Sequence, residues 1–318
     1  MKAEERMISI DGKDAPEMTD AEFRMIGELL RERCGLHFGP ESRFLLEKRL
    51  ARRLRELELT SFSAYHYLVR NASSGDSEFA RLIDELTTNE TYFFRERSQL
   101  RALMSEILPE VRLECAKRNA PVNIWCAGCS SGEEPYTIVI MAMEAGFTPG
   151  VDLHVYASDI SQRMLRKARQ GVYREASFRE TEPAMREKYF SEKDGLWRIS
   201  DDVKRHVDLI HINLLDRSRI SLLGTMDVVL CRNVIIYFDI ETKRRVIQTF
   251  FDKLRPGGHL LLGHSESLIN LSLVFDLRHL SNALVYRRPL PGVLLNDPWH
   301  AAAEAAISSV DSRRGRRE

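Results

Sequence analysis

The chain changes its periodicity once, near residue 120. Before that point apolar residues recur every three or four positions, the spacing of a helix with one buried face. Thr19 and Glu22 stand at capping-box spacing, Phe23, Ile26, Leu29 and Leu30 follow at helical intervals, and Gly35 supplies a stop, which together predict a first helix. A second helix is predicted over 42–59, with Phe44, Leu45, Leu50, Leu54 and Leu57 on its buried side. Two more follow over 61–70 and 77–86, separated by the polar turn cluster NASSGD. The opening part of the chain reads as an all-helical module.

From Pro121 short apolar runs alternate with helical stretches: VNIWCA, EEPYTIVIMAMEA, LHVYASD, SQRMLRKARQG, VDLIHINLL, MDVVLCR, ETKRRVIQTFFDKLRPGG and HLLLGHS. Strands alternating with helices predict an α/β fold with a mostly parallel, doubly wound sheet. VFDLRHL and ALVYRRPL then follow with no helix between them, which predicts a closing antiparallel pair. Between Tyr173 and His206 the alternation stalls, and the helix-like EPAMREKYF and strand-like LWRIS predict a small insertion with one hairpin. Beyond Arg288, PLPGVLLNDPWH is proline-marked, AAAEAAISS reads as one helix and VDSRRGRRE as a frayed basic tail.

Composition narrows the function class. With 43% hydrophobic and 30% charged residues the chain is an ordinary globular protein, long enough at 318 residues for one large α/β unit and an appendage. Lys plus Arg equals Asp plus Glu at 47 each, so no general attraction to nucleic acid or anionic membrane is expected, and an electrostatic partner must meet a local patch. The longest apolar run, MDVVLCRNVIIYF, is broken by Arg232 and Asn233, and MKAEERMISIDG has no hydrophobic signal region. A cytoplasmic protein without membrane insertion is expected. The five cysteines are odd in number and scattered, which reads as reduced thiols.

Strand 122–126 delivers the chain into AGCSSG, where small side chains let a ligand approach the backbone, although this is not GxGxxG and a plain tight turn reads equally well. Glu133 and Glu134 then begin a helix, where they can cap it or meet a cationic ligand group. Asp159 ends the next strand, placed either to accept from both hydroxyls of a ribose or to cap the following helix, a task Ser161 could take instead. Asn213 ends VDLIHINLL, beside an adenine if one is bound; taken singly it reads as a turn residue. Arg232, Asn233 and Tyr237 emerge from the fourth strand at the carboxyl edge of the sheet, and an Arg and an Asn inside an apolar run would be costly to bury without partners. Cys126 and Cys129 lack the second ligand pair of a zinc site and read as small turn residues, and His259 and His264 as core or strand-end histidines; no metal is expected. Arg43, Lys48, Arg49, Arg52, Arg53 and Arg55 crowd one helix, as a solvated face or as the docking stripe for an acidic protein.

At LTTNETYFFRE, SSGEEPY, ASD, CRNVIIYF and GHSES together the chain resembles the chemotaxis methyltransferases that esterify glutamates on bacterial chemoreceptors, over about residues 20–287. The resemblance implies a class I, Rossmann-like methyltransferase fold with an N-terminal all-helical domain and a small β insertion, S-adenosylmethionine as cofactor, and protein-glutamate O-methylation of the cytoplasmic helical region of chemoreceptors. It implies that Asn89, Thr91, Arg95, Glu134, Asp159, Asn213, Leu214, Arg232 and Asn233 hold the cofactor, with Arg95 and Tyr237 at the methyl-transfer site. The expected division is a flexible start over 1–18, a helical domain over 19–95, the methyltransferase domain over 96–288 with its insertion at about 173–206, and an extension over 289–318. Members that tether to a receptor-tail peptide carry a glycine-rich loop in the insertion; FSEKDGL here has a single glycine, so no tether is expected. The competing readings are a methyltransferase with another acceptor, disfavoured because the proline-bearing motif of amine methylation is missing, and a non-catalytic adenosyl-binding adaptor, disfavoured by Arg95 and Tyr237.

Overall fold

Thr19 opens the first helix, α1 (Asp20–Cys34), as its spacing predicts: its hydroxyl accepts from the Glu22 amide at 3.3 Å while the Glu22 carboxylate accepts from the Thr19 amide at 3.0 Å. Gly35 ends it in the left-handed conformation, φ 79°. The computed structural model describes residues 16–71, 76–269, 271–272 and 274–292, and divides the chain into two units, Met1–Thr87 and Thr88–Glu318.

In the first unit α2 (Arg43–Glu56), α3 (Phe62–Asn71) and α4 (Asp76–Leu86) follow α1, with α1 packed on α3 and α2 on α4. The buried stripe of α2 is Leu46, Leu50 and Leu54, which corrects the expected face: Phe44 is 71% exposed, Leu45 42%, and Leu57 lies past the helix end. At about 100° per residue, Leu45 and Phe44 point roughly 100° and 200° away from Leu46, so the unbroken i, i+4 row wins the core. The NASSGD turn lies mostly outside the described residues.

In the second unit β1 (Val122–Ala127), β2 (Leu153–Asp159), β6 (Val207–His211), β7 (Met226–Cys231) and β8 (Leu254–Leu262) are parallel, and β9 (Asp276–Leu280) and β10 (Ala283–Arg287) close the sheet antiparallel, in the order β6-β2-β1-β7-β8-β10-β9. The sheet winds outward from β1 in both directions, which puts a topological switch point between the carboxyl ends of β1 and β7, where ligands bind in open α/β sheets.

The insertion is larger than one hairpin. Between the second and third parallel strands of the wound half, β3 (Val172–Tyr173) joins β4 (Phe190–Lys193) and β5 (Leu196–Ile199) in a three-stranded antiparallel sheet, order β3-β5-β4. Two residues are too short a run to show a strand pattern. Asp194 and Gly195 both take positive φ, 55° and 72°, the two-residue turn that matches strand twist.

The division between units falls before Thr88, so residues 88–95 belong with the sheet rather than with the helical module to which the sequence assigned them. The reason is Phe93, fully buried against Tyr173, Phe178 and Phe190 at centroid distances of 4.8, 5.2 and 4.9 Å. The expectations for the first fifteen residues and for everything after Gly292, including the AAAEAAISS helix and the basic tail, lie outside the described residues.

Candidate functional site

β1 leaves the sheet through a turn in which Gly128 and Gly132 take φ of 86° and 95°. A Cβ on Gly128 would lie 2.4 Å from Val234 Cγ2, so only glycine lets the loop after β7 press against this turn. Asp159, buried at the end of β2, reaches back across the turn: Oδ2 accepts from the Ser130 amide and Oδ1 from the Ser161 amide, both at 2.8 Å. Ser161 caps the next helix, accepting from the Met164 amide at 3.1 Å. Asp159 is therefore not the cap; its carboxylate holds the turn after β1 against the start of the next helix.

Arg232 is the joint of the site. Its side chain is 2% exposed, with Nη1 donating to Glu134 Oε2 at 2.9 Å and Nη2 to the Arg95 carbonyl at 2.6 Å and to Glu96 Oε2 at 3.2 Å. One guanidinium thus ties the exit of β7, the first turn of the helix Glu133–Glu144 and the 88–96 segment together. Burial pushes the Glu134 carboxyl above its ordinary value against the pull of Arg232, and burial raises Glu133 as well, whose carboxylate accepts from Ser131 and Ser177 hydroxyls. The 88–96 segment is fixed further by Phe93 N to Ser177 O at 2.9 Å and Phe94 N to Thr137 Oγ1 at 3.1 Å. On it Asn89, Thr91 and Arg95 are half-buried, and Arg95 Nη1 donates to the Glu90 carbonyl at 2.9 Å.

Asn233 follows Arg232 at φ 60°, and Tyr237, 36% exposed, closes a short 3-10 turn. Beyond β6, Asn213 Oδ1 accepts from the Leu215 amide at 3.0 Å while the Ile212 amide donates to the Asp159 carbonyl at 3.1 Å, so Asn213 holds its own turn beside the end of β2, next to the buried Leu214. Sequence reasoning missed two carboxylates here. Glu96 meets Arg232, and Glu266, beyond β8, accepts from the amides of Gly263, Asn233, Val234 and Ile236; the GHSES run was the only signal for Glu266. Burial pushes the Glu266 carboxyl up, although its four amide bonds pull the other way.

Ser130 Oγ, Asn233 Oδ1 and Arg232 Nε are buried without a hydrogen-bond partner, all at this one rim. Buried polar atoms are rarely left so, and a ligand rich in hydroxyl, amine and carboxylate groups would satisfy them. Cys126 and Cys129 are buried core thiols raised well above their ordinary range by that burial. His259 is buried too and lowered to about 4, chiefly by burial, while His264 is exposed. Among the described residues no group of three or more His, Cys, Asp or Glu could hold a metal.

The basic residues of α2 belong to the other unit and are less open than their spacing suggests. Arg53, its side chain 12% exposed, is held by Glu78 at 2.6 Å and Glu56 at 2.9 Å; Arg43 pairs with Asp20, Arg52 with Glu56, and Arg49 donates to the Leu86 carbonyl at 2.6 Å. Arg55 Nε donates to the Ala51 carbonyl at 3.4 Å, and Lys48 is exposed. Arg53 is thus a link between α2 and α4 rather than part of an open stripe.

A parallel sheet closed by an antiparallel pair, with an acid at the end of β2 and a small-residue turn at the switch point, defines a class I methyltransferase using an adenosyl cofactor. The family described as CheR methyltransferase, SAM binding domain, matches residues 89–283, and its all-alpha domain matches residues 21–87. The chain is similar to Chemotaxis protein methyltransferase 2 of Vibrio cholerae, 37% identical over 280 residues covering 86% of this chain and 95% of that protein. It is similar also to the Chemotaxis protein methyltransferase of Escherichia coli, 36% identical over 267 residues covering 82% and 89%. The chain belongs to the CheR methyltransferase family, and S-adenosylmethionine is its cofactor.

Proposed function

We propose that the protein methylates glutamate side chains in the cytoplasmic helical region of chemoreceptors, forming methyl esters in chemotactic adaptation. Bound S-adenosylmethionine supplies the electrophilic sulfonium methyl. The observation that carries the choice of acceptor is that three rim carboxylates are engaged by the protein itself: Glu134 and Glu96 by Arg232, and Glu266 by four amides. A site with its carboxylates so engaged suits a nucleophile that needs no base. A glutamate carboxylate is ionised at neutral pH and asks only to be positioned and desolvated.

In this reading Asp159 receives the ribose hydroxyls, Asn213 and Leu214 flank the adenine, and Asn89, Thr91, Glu134, Arg232 and Asn233 serve the other polar parts of the cofactor. Arg95 and Tyr237 aim the incoming carboxylate. Arg95→Ala or Tyr237→Phe should lower methyl transfer about 10- to 100-fold, the worth of one hydrogen bond to a charged group, while S-adenosylhomocysteine affinity measured by calorimetry falls less. Equal losses in turnover and binding would contradict the assignment.

Receptor recognition is proposed to use the cations of α2, namely Arg43, Lys48, Arg49, Arg52 and Arg55, against the acidic methylation region, with Arg53 acting structurally. Charge reversal at Lys48 and Arg52 together should raise KM for receptor, and added salt should raise the unmodified protein's KM in the same direction. An unchanged KM at low ionic strength rules the patch out. β4 and β5 are joined by the short Asp194–Gly195 turn, which disfavours a receptor-tail tether there. In this reading the enzyme acts in the cytoplasm, and no described helix is long and apolar enough to cross a membrane.

A further inference from the structure

Glu266 is a half-buried titratable group that the proposed chemistry does not use, and four backbone amides engage its carboxylate. Oε2 accepts from the Asn233 amide and the Gly263 amide, both at 2.7 Å, and Oε1 from the Val234 amide at 2.9 Å and the Ile236 amide at 3.2 Å. Three of these amides belong to the loop that carries Asn233 and Tyr237, one strand away from Glu266 across the β7–β8 pairing. A loop that begins with a left-handed asparagine cannot satisfy those amides in a regular ladder, and a single carboxylate does so instead.

Two glycines make room for the arrangement. A Cβ on Gly263 would stand 2.7 Å from Asn233 Nδ2, 2.8 Å from Asn233 N and 2.9 Å from Glu266 Oε2. On the other side of the loop Val234 fills the space a Cβ on Gly128 would need, in the turn that Asp159 holds. The carboxylate therefore fixes the loop from one side while the cofactor turn fixes it from the other.

We propose that Glu266 is a positioning residue for methyl transfer, acting through the Asn233–Tyr237 loop to hold the Tyr237 hydroxyl where the acceptor carboxylate must lie. The proposal rests on the assignment of Tyr237 given above. Glu266→Gln keeps size and one acceptor oxygen but turns an amide NH2 toward backbone N–H donors, so the loop loses bonds on one side. Displacing a positioning group by about 1 Å costs up to the order of 100-fold in rate, so Glu266→Gln at saturating cofactor and receptor should lower kcat about 10- to 100-fold, by no more than Tyr237→Phe does. Glu266→Asp, which keeps the charge but withdraws it by one methylene, should recover part of the loss.

The decisive measurement is a double-mutant cycle with Tyr237→Phe. If Glu266 acts through the Tyr237 hydroxyl, Glu266→Gln in the Tyr237→Phe background should cost less than about 5-fold, because the group being positioned is already gone. Hydrogen exchange should quicken at Asn233, Val234 and Ile236 while the amides of β1 and β2 stay protected, which general destabilisation would not produce. A further loss in the double variant as large as that of Glu266→Gln alone, or exchange that quickens throughout the sheet, overturns the inference. Full activity of Glu266→Gln beside an impaired Tyr237→Phe overturns the inference alone, whereas a fully active Tyr237→Phe overturns the assignment of Tyr237 and the inference with it.

Discussion

Arg232→Met should cost the methyltransferase unit about 3–5 kcal/mol in denaturant unfolding, the penalty for removing one partner of a buried ion pair. The side chain is 2% exposed and its two partners, Glu134 and Glu96, are 15% and 12% exposed, so neither carboxylate can turn to bulk water when the guanidinium is removed. The Arg95 carbonyl loses its donor as well, which frees the 88–96 segment at the point nearest the proposed chemistry. Adding Glu134→Gln and Glu96→Gln to Arg232→Met should return much of the stability, since a neutral buried cluster leaves no unpaired charge. Cofactor binding should stay weak in that triple variant because two proposed pocket residues are changed. A loss below about 1 kcal/mol for Arg232→Met would mean that the cluster is solvated and that Arg232 is not the joint described.

Asp159→Ala should weaken S-adenosylhomocysteine binding about 100- to 10,000-fold in calorimetry. Two hydrogen bonds from ribose hydroxyls to an ionised acceptor, at about 1.5–3 kcal/mol each, set that range. The side chain has a second task, since the Ser130 and Ser161 amides lose their acceptor in the alanine variant and the turn after β1 is released. Asp159→Asn offers one oxygen in place of two and should fall between. An affinity within about 3-fold of the unmodified protein would remove Asp159 from the pocket.

What could be read from the sequence was what is local. The first helix is legible because Thr19, Glu22 and Gly35 carry its cap and stop, and the strands of the main sheet because apolar runs and helical stretches alternate. Arg232 could be singled out because a charge inside an apolar strand must have partners, but nothing local names those partners. Glu134 lies 98 residues away and Glu96 136. Glu266 lay within the GHSES run, but its role could not be read for the same reason, its destination being a loop 30 to 33 residues earlier that only the parallel pairing of β7 and β8 brings beside it. The 88–95 segment was placed with the wrong unit because its polar residues have no period, and the aromatic cluster that claims Phe93 is contributed by residues 80 or more positions later. The face of α2 went astray because Phe44, Leu45 and Leu46 compete at its start and only the uninterrupted row Leu46, Leu50 and Leu54 decides which are buried.

Incubating the protein with methyl-labelled S-adenosylmethionine and receptor-enriched membranes, then raising the pH and collecting the volatile fraction, tests the central claim most directly. A carboxyl methyl ester is predicted, so the label should sit on receptor protein and leave as methanol in alkali, and Tyr237→Phe should lower the yield. Label that stays on the protein through the alkaline step, or that is found on nucleic acid or a small molecule, would contradict glutamate esterification.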